Sequence, residues 1–460
     1  MISKKSTIFF LLLIFVISFF IKLMPLYKGY NAPFGAVDSG FHIASALDIS
    51  EGSFSSLVHP WWHLKNHILI NGYDIVDRNL ASFFYPPLIH LTLALGFLLI
   101  HPGIASVIIV SLLYSLSVLA IFFLCKSFGF RDVPALVSSA LIAVSVPLIQ
   151  SQNYGFWTFL IAANFLVLSC IFLRFKSRKY TWIGILFYFF ALTTHWTFLI
   201  PALCIGLAES AINKNKEAKI YILAAILIAA PFYLYIFYLA NPLFYIATHF
   251  EALILPNYAL LMLALIGIVI NFRKYYEVSI FAVLTAVISF IYYVLGMKFI
   301  FGDMVQFTYP FFTAFYVGSL FGNLSRKSFK AVLILIILAA FALDTASIQQ
   351  IFKSSDASIT KREFNDMLKL RQEFKPGDNT ILAIDRNLIP WWLTIVSKDA
   401  KIVYPDTYEG EDMVKYYDAY FAGEINSSKY IFYKISKKGN SLVLEKNVKL
   451  PKDKFGFRMG

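Results

Sequence analysis

Ala36-Val37-Asp38-Ser39-Gly40-Phe41-His42 opens, and Phe84-Tyr85-Pro86-Pro87-Leu88-Ile89-His90 closes, a long polar interruption in an otherwise apolar chain. One hydrophobic segment, residues 7–26, leads into it behind Lys4 and Lys5. Beyond it, up to residue 347, the chain consists mostly of further hydrophobic runs. A carboxylate and an imidazole at the edge of a bilayer are costly to keep for packing alone. Their place in the first interruption points to chemistry at the membrane surface.

Composition agrees. Of 460 residues, 59% are hydrophobic and 15% charged, against about 45–50% apolar in a soluble domain. This predicts a multi-span membrane protein followed by one soluble domain. No small-residue cleavage site follows residues 7–26, so that segment reads as a retained helix. Cys125, Cys170 and Cys204 all lie in hydrophobic segments, and neither a disulfide framework nor a cysteine metal motif is on offer. They read as apolar filler.

The net charge of +13 has its explanation in where the charges sit. Spans are expected near 7–26, 104–125, 133–150, 156–173, 181–194, 197–211, 219–239, 258–272, 277–296, 304–322 and 331–347. Alternate connections are basic: Lys126 and Arg131; Arg174, Lys176, Arg178 and Lys179; Lys214, Lys216 and Lys219; Arg273 and Lys274; Arg326, Lys327 and Lys330. With Lys4 and Lys5 these make 16 cations, whereas the opposite short loops carry only Lys298. The positive-inside rule places the basic set and the N-terminus in the cytoplasm. The charge is therefore largely topogenic and says nothing of nucleic acid, and no nucleic-acid partner is expected. A full span at 85–101 would invert every later loop. That stretch is instead expected to lie against the outer surface or to dip in and return, with Pro86-Pro87 at a helix start. The fold class is thus an α-helical polytopic membrane domain of about 11 helices, residues 1–347, with a long outer first loop at 28–103. The spans at 181–194 and 197–211 are short and flank Thr194-His195-Trp196, as one broken helix or two tilted ones.

Residues 348–460 read as a small extracytoplasmic α/β domain. An amphipathic helix is expected at 359–374, ended by Lys375-Pro376-Gly377, with strands at Thr380–Ile384, 401–404, 430–435 and 441–444 and helices at 389–397 and 411–422.

Within the first loop, Asp38 and His42 are four apart and share one face if 38–51 is helical. The blander alternative makes Asp38 or Ser39 a helix N-cap and His42 an interfacial polar residue. Asp48, Glu51, Asp74 and Asp77 read mostly as solvated loop charges. His59, His63 and His67 recur every four residues, but Pro60 interrupts them. An interfacial helix carrying Trp61 and Trp62 explains them better than a metal stripe. His195 is expected at the outer face, either at the lipid headgroup or simply interfacial. Asp385-Arg386-Asn387 follows a strand end, a place for a binding loop or for a turn.

The Asp38-x-x-x-His42 stretch resembles the first-loop acidic motif of GT-C glycosyltransferases, multi-span enzymes that use lipid-phosphate-linked sugars. Tyr85-Pro86-Pro87-Leu88 resembles the Pro-Pro-Leu element of the lipid A and protein-mannosyl branches. Trp391-Trp392 is similar to the double-tryptophan region of oligosaccharyltransferase catalytic subunits. The layout of long outer loop, basic inner loops and outer tail is similar as well. Three departures stand out. Leu393-Thr394-Ile395 replaces the Asp-Tyr-Gly that helps read an asparagine acceptor, and Gln150–Gly155 lacks the second-loop carboxylate. Asp303 and Gln306 stand where many relatives place an arginine for the lipid phosphate.

The resemblance implies an inverting transfer of sugar from a polyprenyl-phosphate donor to a glycan, lipid or protein acceptor on the outer face. Asp38 and His42 are its catalytic residues. Asp38 is the base, or in a competing role a ligand of a divalent cation, Mg or Mn. Tyr85, His195, Lys298, Arg386 and Trp391 are its substrate-binding candidates, with Lys298 on the leaving phosphate. The rival class is a lipid-linked-glycan flippase or transporter, or a lipid-glycan-binding protein without turnover. A transporter is expected to show paired charged or broken positions near mid-membrane, whereas Glu209 and Asp344 sit near span ends.

The orientation is open to a direct check. A cysteine introduced at Ser355 is expected to react with a membrane-impermeant thiol reagent in intact cells. Labelling only after lysis would reverse the topology.

Overall fold

The structure is a computed structural model. It describes residues 3–23, 39–52, 68–70, 73–75, 88–155, 157–175, 177–194, 258–275, 302–323, 359–373, 380–384, 402–403, 431–439 and 441–446, with a few short pieces at 26, 222–230, 278–283 and 331–338. In chain order the elements are α1 (Lys4–Lys22), α2 (Ser39–Ser50), β1 (Ile68–Ile70), β2 (Tyr73–Ile75), α3 (Leu88–Phe97), α4 (Pro102–Ser127), α5 (Asp132–Ala143), α6 (Val146–Tyr154), α7 (Trp157–Arg174) and α8 (Arg178–Leu192). There follow α9 (Tyr258–Asn271), α10 (Gly302–Asn323), α11 (Lys361–Glu373), β3 (Thr380–Ile384), β4 (Ile402–Val403), β5 (Ile431–Lys438) and β6 (Ser441–Lys446). The chain divides into two compact units, 1–28 with 107–356 and 29–106 with 357–460.

Three of the described helices, α1, α4 and α7, are long and apolar enough to cross a membrane. Expected spans at 197–211, 219–239, 277–296 and 331–347 fall largely or wholly outside the described residues. The span expected at 133–150 is corrected: it is two helices, α5 and α6, broken at Val144-Ser145. The cause is Pro147, near the start of α6. Proline has no N–H for the carbonyl four residues back, and its ring clashes with that carbonyl. The carbonyl concerned is that of Ala143, and α1 satisfies it. Lys22 Nζ donates to Ala143 O at 3.3 Å and to Ser18 Oγ at 2.6 Å, while Ser18 Oγ lies 3.5 Å from the same oxygen. Lys22 in turn exposes its own carbonyl at the end of α1, where no helical donor follows. Ser111 Oγ at 2.9 Å and Gln152 Nε2 at 3.2 Å fill that gap.

The rest of the first unit packs through small residues. α5 lies on α10 because Gly318 and Gly322, a Gly-x-x-x-Gly pair, let the backbones close up. A Cβ at Gly318 would stand 2.8 Å from the Pro134 carbonyl and closer still to Ser138 Oγ. α9 meets α10 in the same way, since a Cβ at Gly267 would lie 2.9 Å from Tyr316 O. Phe128, Tyr275 and Phe315 meet edge to face, Phe130 packs on Tyr275 and Phe315 at a tilt, and the Arg174 guanidinium lies 4.0 Å above the Phe128 ring.

In the second unit α3 is only 10 residues long, about 15 Å, half the hydrocarbon thickness. It packs against α2, the helix expected over 38–51. α11 begins with a capping box: Glu363 N–H donates to Thr360 Oγ1 at 3.2 Å, and Thr360 N–H to Glu363 Oε2 at 2.7 Å. It turns Phe364, Met367 and Leu370 inward. The sheet runs β4-β3-β5-β6, with β3 parallel to β4 and β5, and β5 antiparallel to β6. Gly439, at φ 63°, makes the left-handed turn of that hairpin. The helices expected at 389–397 and 411–422 lie outside the described residues.

Arg371 of α11 joins Asp48 and Glu51 of α2. Arg371 Nη2 is 2.5 Å from Asp48 Oδ1, and its Nε and Nη2 are each 2.8 Å from Glu51 carboxylate oxygens. Asp48 and Arg371 are buried and Glu51 is half exposed, so the Asp48 pair dominates. Arg371→Ala strands a buried carboxylate and is expected to destabilise the protein by about 3–5 kcal/mol in detergent denaturation. Replacing the whole triad, Arg371→Met with Asp48→Leu and Glu51→Gln, should cost far less, because no buried charge is left alone.

Candidate active site

α2 carries His42, the described residue of the candidate site. From His42 to Ile49 every residue is buried. Its first residue, Ser39, directly follows Asp38, and its last turn ends at Gly52, whose φ is 92°. The N-terminal end of a helix presents N–H groups without helical partners and a partial positive charge, which favour an anion such as an aspartate at the cap. The C-terminal end of α2 carries Asp48 and Glu51, two anions where the helix dipole disfavours them. Arg371 offsets both. Asp48 and Glu51 are therefore corrected from solvated loop charges to a structural ion pair, and neither is free for acid–base work. Asp74 lies on β2, opposite Leu69 of β1.

His42 sits in the first turn of α2 and is fully buried. Its Nδ1 is 2.9 Å from Nε2 of His90, the third residue of α3, also fully buried. The rings tilt at 35° with centroids 5.2 Å apart. Burial pushes the His90 imidazole down to about 3, so it stays neutral. The pair holds the ring of His42 in one orientation, from an apolar helix whose start the Pro86-Pro87 pair marks in the sequence. His90 ends the segment that closes the first loop, but sequence reasoning gave it no role. A histidine two residues into an apolar helix was the available signal. A further histidine, His101, accepts from Gly103 N–H at 3.2 Å at the start of α4 and sets its ring edge against Phe364.

Of the site residues expected from sequence, the structure describes His42. Asp38, Tyr85, His195, Lys298, Arg386 and Trp391 lie outside the described residues, as do His59, His63 and His67. Among the described residues no three His, Cys, Asp or Glu side chains gather in a way that would hold a metal.

No family model matches the chain, and no curated protein matches it in sequence. Solved structures do match in fold. The Archaeoglobus fulgidus oligosaccharyltransferase in its apo form aligns with a TM-score of 0.58 and 12% identity, over 94% of this chain and 70% of that one. The archaeal oligosaccharyltransferase AglB of the same organism, in complex with an inhibitory peptide and a dolichol-phosphate, aligns at 0.55 and 11% over 92% and 69%. ArnT from Cupriavidus metallidurans, in the apo state, aligns at 0.54 and 10% over 97% and 98%. The chain shares the fold of these oligosaccharyltransferase and ArnT structures, the kind of fold that the resemblance in sequence implied.

The state of His90 has a measurable consequence. In the unfolded chain its imidazole titrates near 6.5, while in the folded protein burial holds it neutral down to about 3. Between those values the unfolded state binds the extra proton. Its contribution to stability is complete above pH 6.5 and is lost as pH falls, by up to about 1.4 kcal/mol per unit. From pH 6.5 to 5, where most carboxylates stay ionised, His90→Gln is expected to flatten the fall in detergent stability. An equally steep fall in the variant would place the acid sensitivity elsewhere.

Proposed function

We propose that the chain is an integral membrane glycosyltransferase of GT-C type, taking sugar from a polyprenyl-phosphate donor. It acts on a hydroxyl of a glycan, lipid or protein acceptor at the outer face. The observation that carries this is a fold likeness spanning 94% of the chain combined with a helix that begins at Ser39, immediately after the first-loop aspartate. AglB's dolichol-phosphate supports a lipid-phosphate donor here.

In the proposed reaction Asp38 takes the proton from the acceptor hydroxyl. The freed oxygen attacks the anomeric carbon from the face opposite the phosphate. The new C–O bond forms as the bond from that carbon to the phosphate oxygen breaks, and polyprenyl phosphate leaves with the electron pair. An anionic base at the positive end of α2 is electrostatically supported there, and the developing phosphate charge needs a cation. Lys298 is the candidate for that task, with His195 and Arg386 as further polar contacts and Tyr85 and Trp391 as faces for the sugar. A divalent cation on Asp38 would supply the same charge stabilisation. The described acids closest in sequence, Asp48 and Glu51, are taken by Arg371 and do not complete a ligand set.

Purified protein with synthetic polyprenyl-phosphate sugars, assayed for transfer of labelled sugar with and without divalent ions, tests this. Asp38→Asn keeps the size and capping ability of the side chain but loses the base. It should remain folded and lose roughly 10²-fold or more in turnover. Normal turnover in this variant would reduce Asp38 to a helix cap.

A further inference from the structure

The basic connections described in the first unit meet at one end of it. Thr7 Oγ1, near the start of α1, donates to Asp132 at the start of α5 at 2.9 Å, and Lys126, near the end of α4, reaches the same carboxylate at 2.7 Å. Arg174, the last residue of α7, stacks on Phe128 just past α4. Tyr275, just past α9, touches Phe128, Phe130 and Phe315. Loops far apart in sequence thus share one aromatic cluster, and each brings cations to it.

Those cations outnumber the acids. Asp132 is the one carboxylate described at this end, and Lys126 and Thr7 already engage it. Arg131, Arg273 and Lys274 are exposed and form no ion pair among the described residues. Two of the cations are also held in place. The Arg174 guanidinium lies 4.0 Å from the centre of the Phe128 ring. Lys274 Nζ lies 5.0 Å from that of Tyr275 and 3.5 Å from Asn323 Oδ1. The two rings meet edge to face at 5.9 Å, so two fixed positive charges stand on neighbouring rings.

A charge that only orients the chain during insertion acts from anywhere in its loop and gains nothing from a fixed position. Fixed cations without a carboxylate to answer them suit a phosphate, with the guanidinium fork as its directional partner. Depth identifies the phosphate. Phe175, Tyr180 and Trp182 are exposed where α7 ends and α8 begins, and exposed aromatic side chains beside an apolar span mark the headgroup level of a bilayer. Basic pockets between spans at that level take anionic lipid headgroups.

We propose that this end of the first unit binds the headgroup of an anionic phospholipid, with its phosphate between Arg174 and Lys274 and Arg131 alongside. The lipid bridges the ends of α4, α7 and α9 and stabilises the unit. The site is independent of the transferase reading.

The test uses purified full-length protein in neutral detergent, titrated with phosphatidylglycerol or with zwitterionic phosphatidylcholine. Unfolding temperature and native mass spectrometry are the readouts. Phosphatidylglycerol should raise the unfolding temperature and remain bound in the mass spectrum, and phosphatidylcholine should do neither. Arg174→Gln with Lys274→Gln should weaken phosphatidylglycerol binding about 20-fold, the scale of two cations at a lipid surface. Arg178→Gln with Lys179→Gln removes the same charge from the start of α8. It should weaken binding by no more than about threefold, since exposed charges off the site are screened by salt. Equal losses in the two variants would reduce the attraction to diffuse charge and overturn the proposal. Equal stabilisation by phosphatidylcholine, or by inorganic phosphate alone, would overturn it too. If the first variant does not fold, Arg131→Gln with Lys274→Gln keeps the stack of Arg174 on Phe128 and enters the same comparison.

Discussion

A charge removed from water must find its counter-charge within the protein, and that demand organises the second unit around α2. Asp48 is buried in the last turn of a helix whose own dipole repels it. The Arg371 guanidinium answers it and grips Glu51 bidentately with the same face. Because Arg371 sits on α11, one cation ties the tail helix to the end of α2, while α11 turns Phe364 and Met367 inward. At the other end of α2 the buried imidazoles of His42 and His90 pair with each other. The helix is thus tied at both ends by polar contacts, and the residues between them are buried and, Ser45 apart, apolar.

The first unit meets the equivalent demand for backbone groups. In hydrocarbon, a carbonyl without a donor costs several kcal/mol. Pro147 creates such a carbonyl at Ala143, and the end of α1 creates another at Lys22. The structure cancels one against the other. Lys22 and Ser18 reach to Ala143, while Ser111 and Gln152 reach to Lys22. A lysine side chain here serves the backbone of a neighbouring helix, and the break between α5 and α6 is stabilised as a fixed joint.

Much of this was legible from sequence where the signal is local. The spacing of apolar residues placed α1, α4, α7 and α11. Pro86-Pro87 anticipated the short α3, and strands were expected where β3, β5 and β6 lie. The break at Pro147 was legible in principle, but the hydrophobic run across 133–150 overrode it, since hydropathy does not register one missing N–H. The Gly318/Gly322 pair could have announced a close helix contact, though not which helix would fill it. Asn71-Gly72, between β1 and β2, is a hairpin dipeptide and could have announced that pair of strands. The ion pair of Asp48 with Arg371 was out of reach. Its partners are 323 residues apart, and no local pattern distinguishes a solvated aspartate from one awaiting a distant arginine. The His42–His90 bridge was hidden for the same reason, although each residue ends one of the two segments that bound the first loop. Asp38 remains a reading of sequence and helical spacing.

That separation also bears on the order of events during synthesis. A ribosome adding about 5–20 residues per second takes roughly a quarter of a minute to a minute between Asp48 and Arg371. Throughout that interval α2 exists without its counter-ion, and the unit built on it cannot close. The helix that carries Arg371 therefore closes the unit. A chain released early inserts its hydrophobic helices but leaves an unneutralised carboxylate where the folded unit needs a dry one. Reaching Arg371 is in this sense a condition written into the packing of α2.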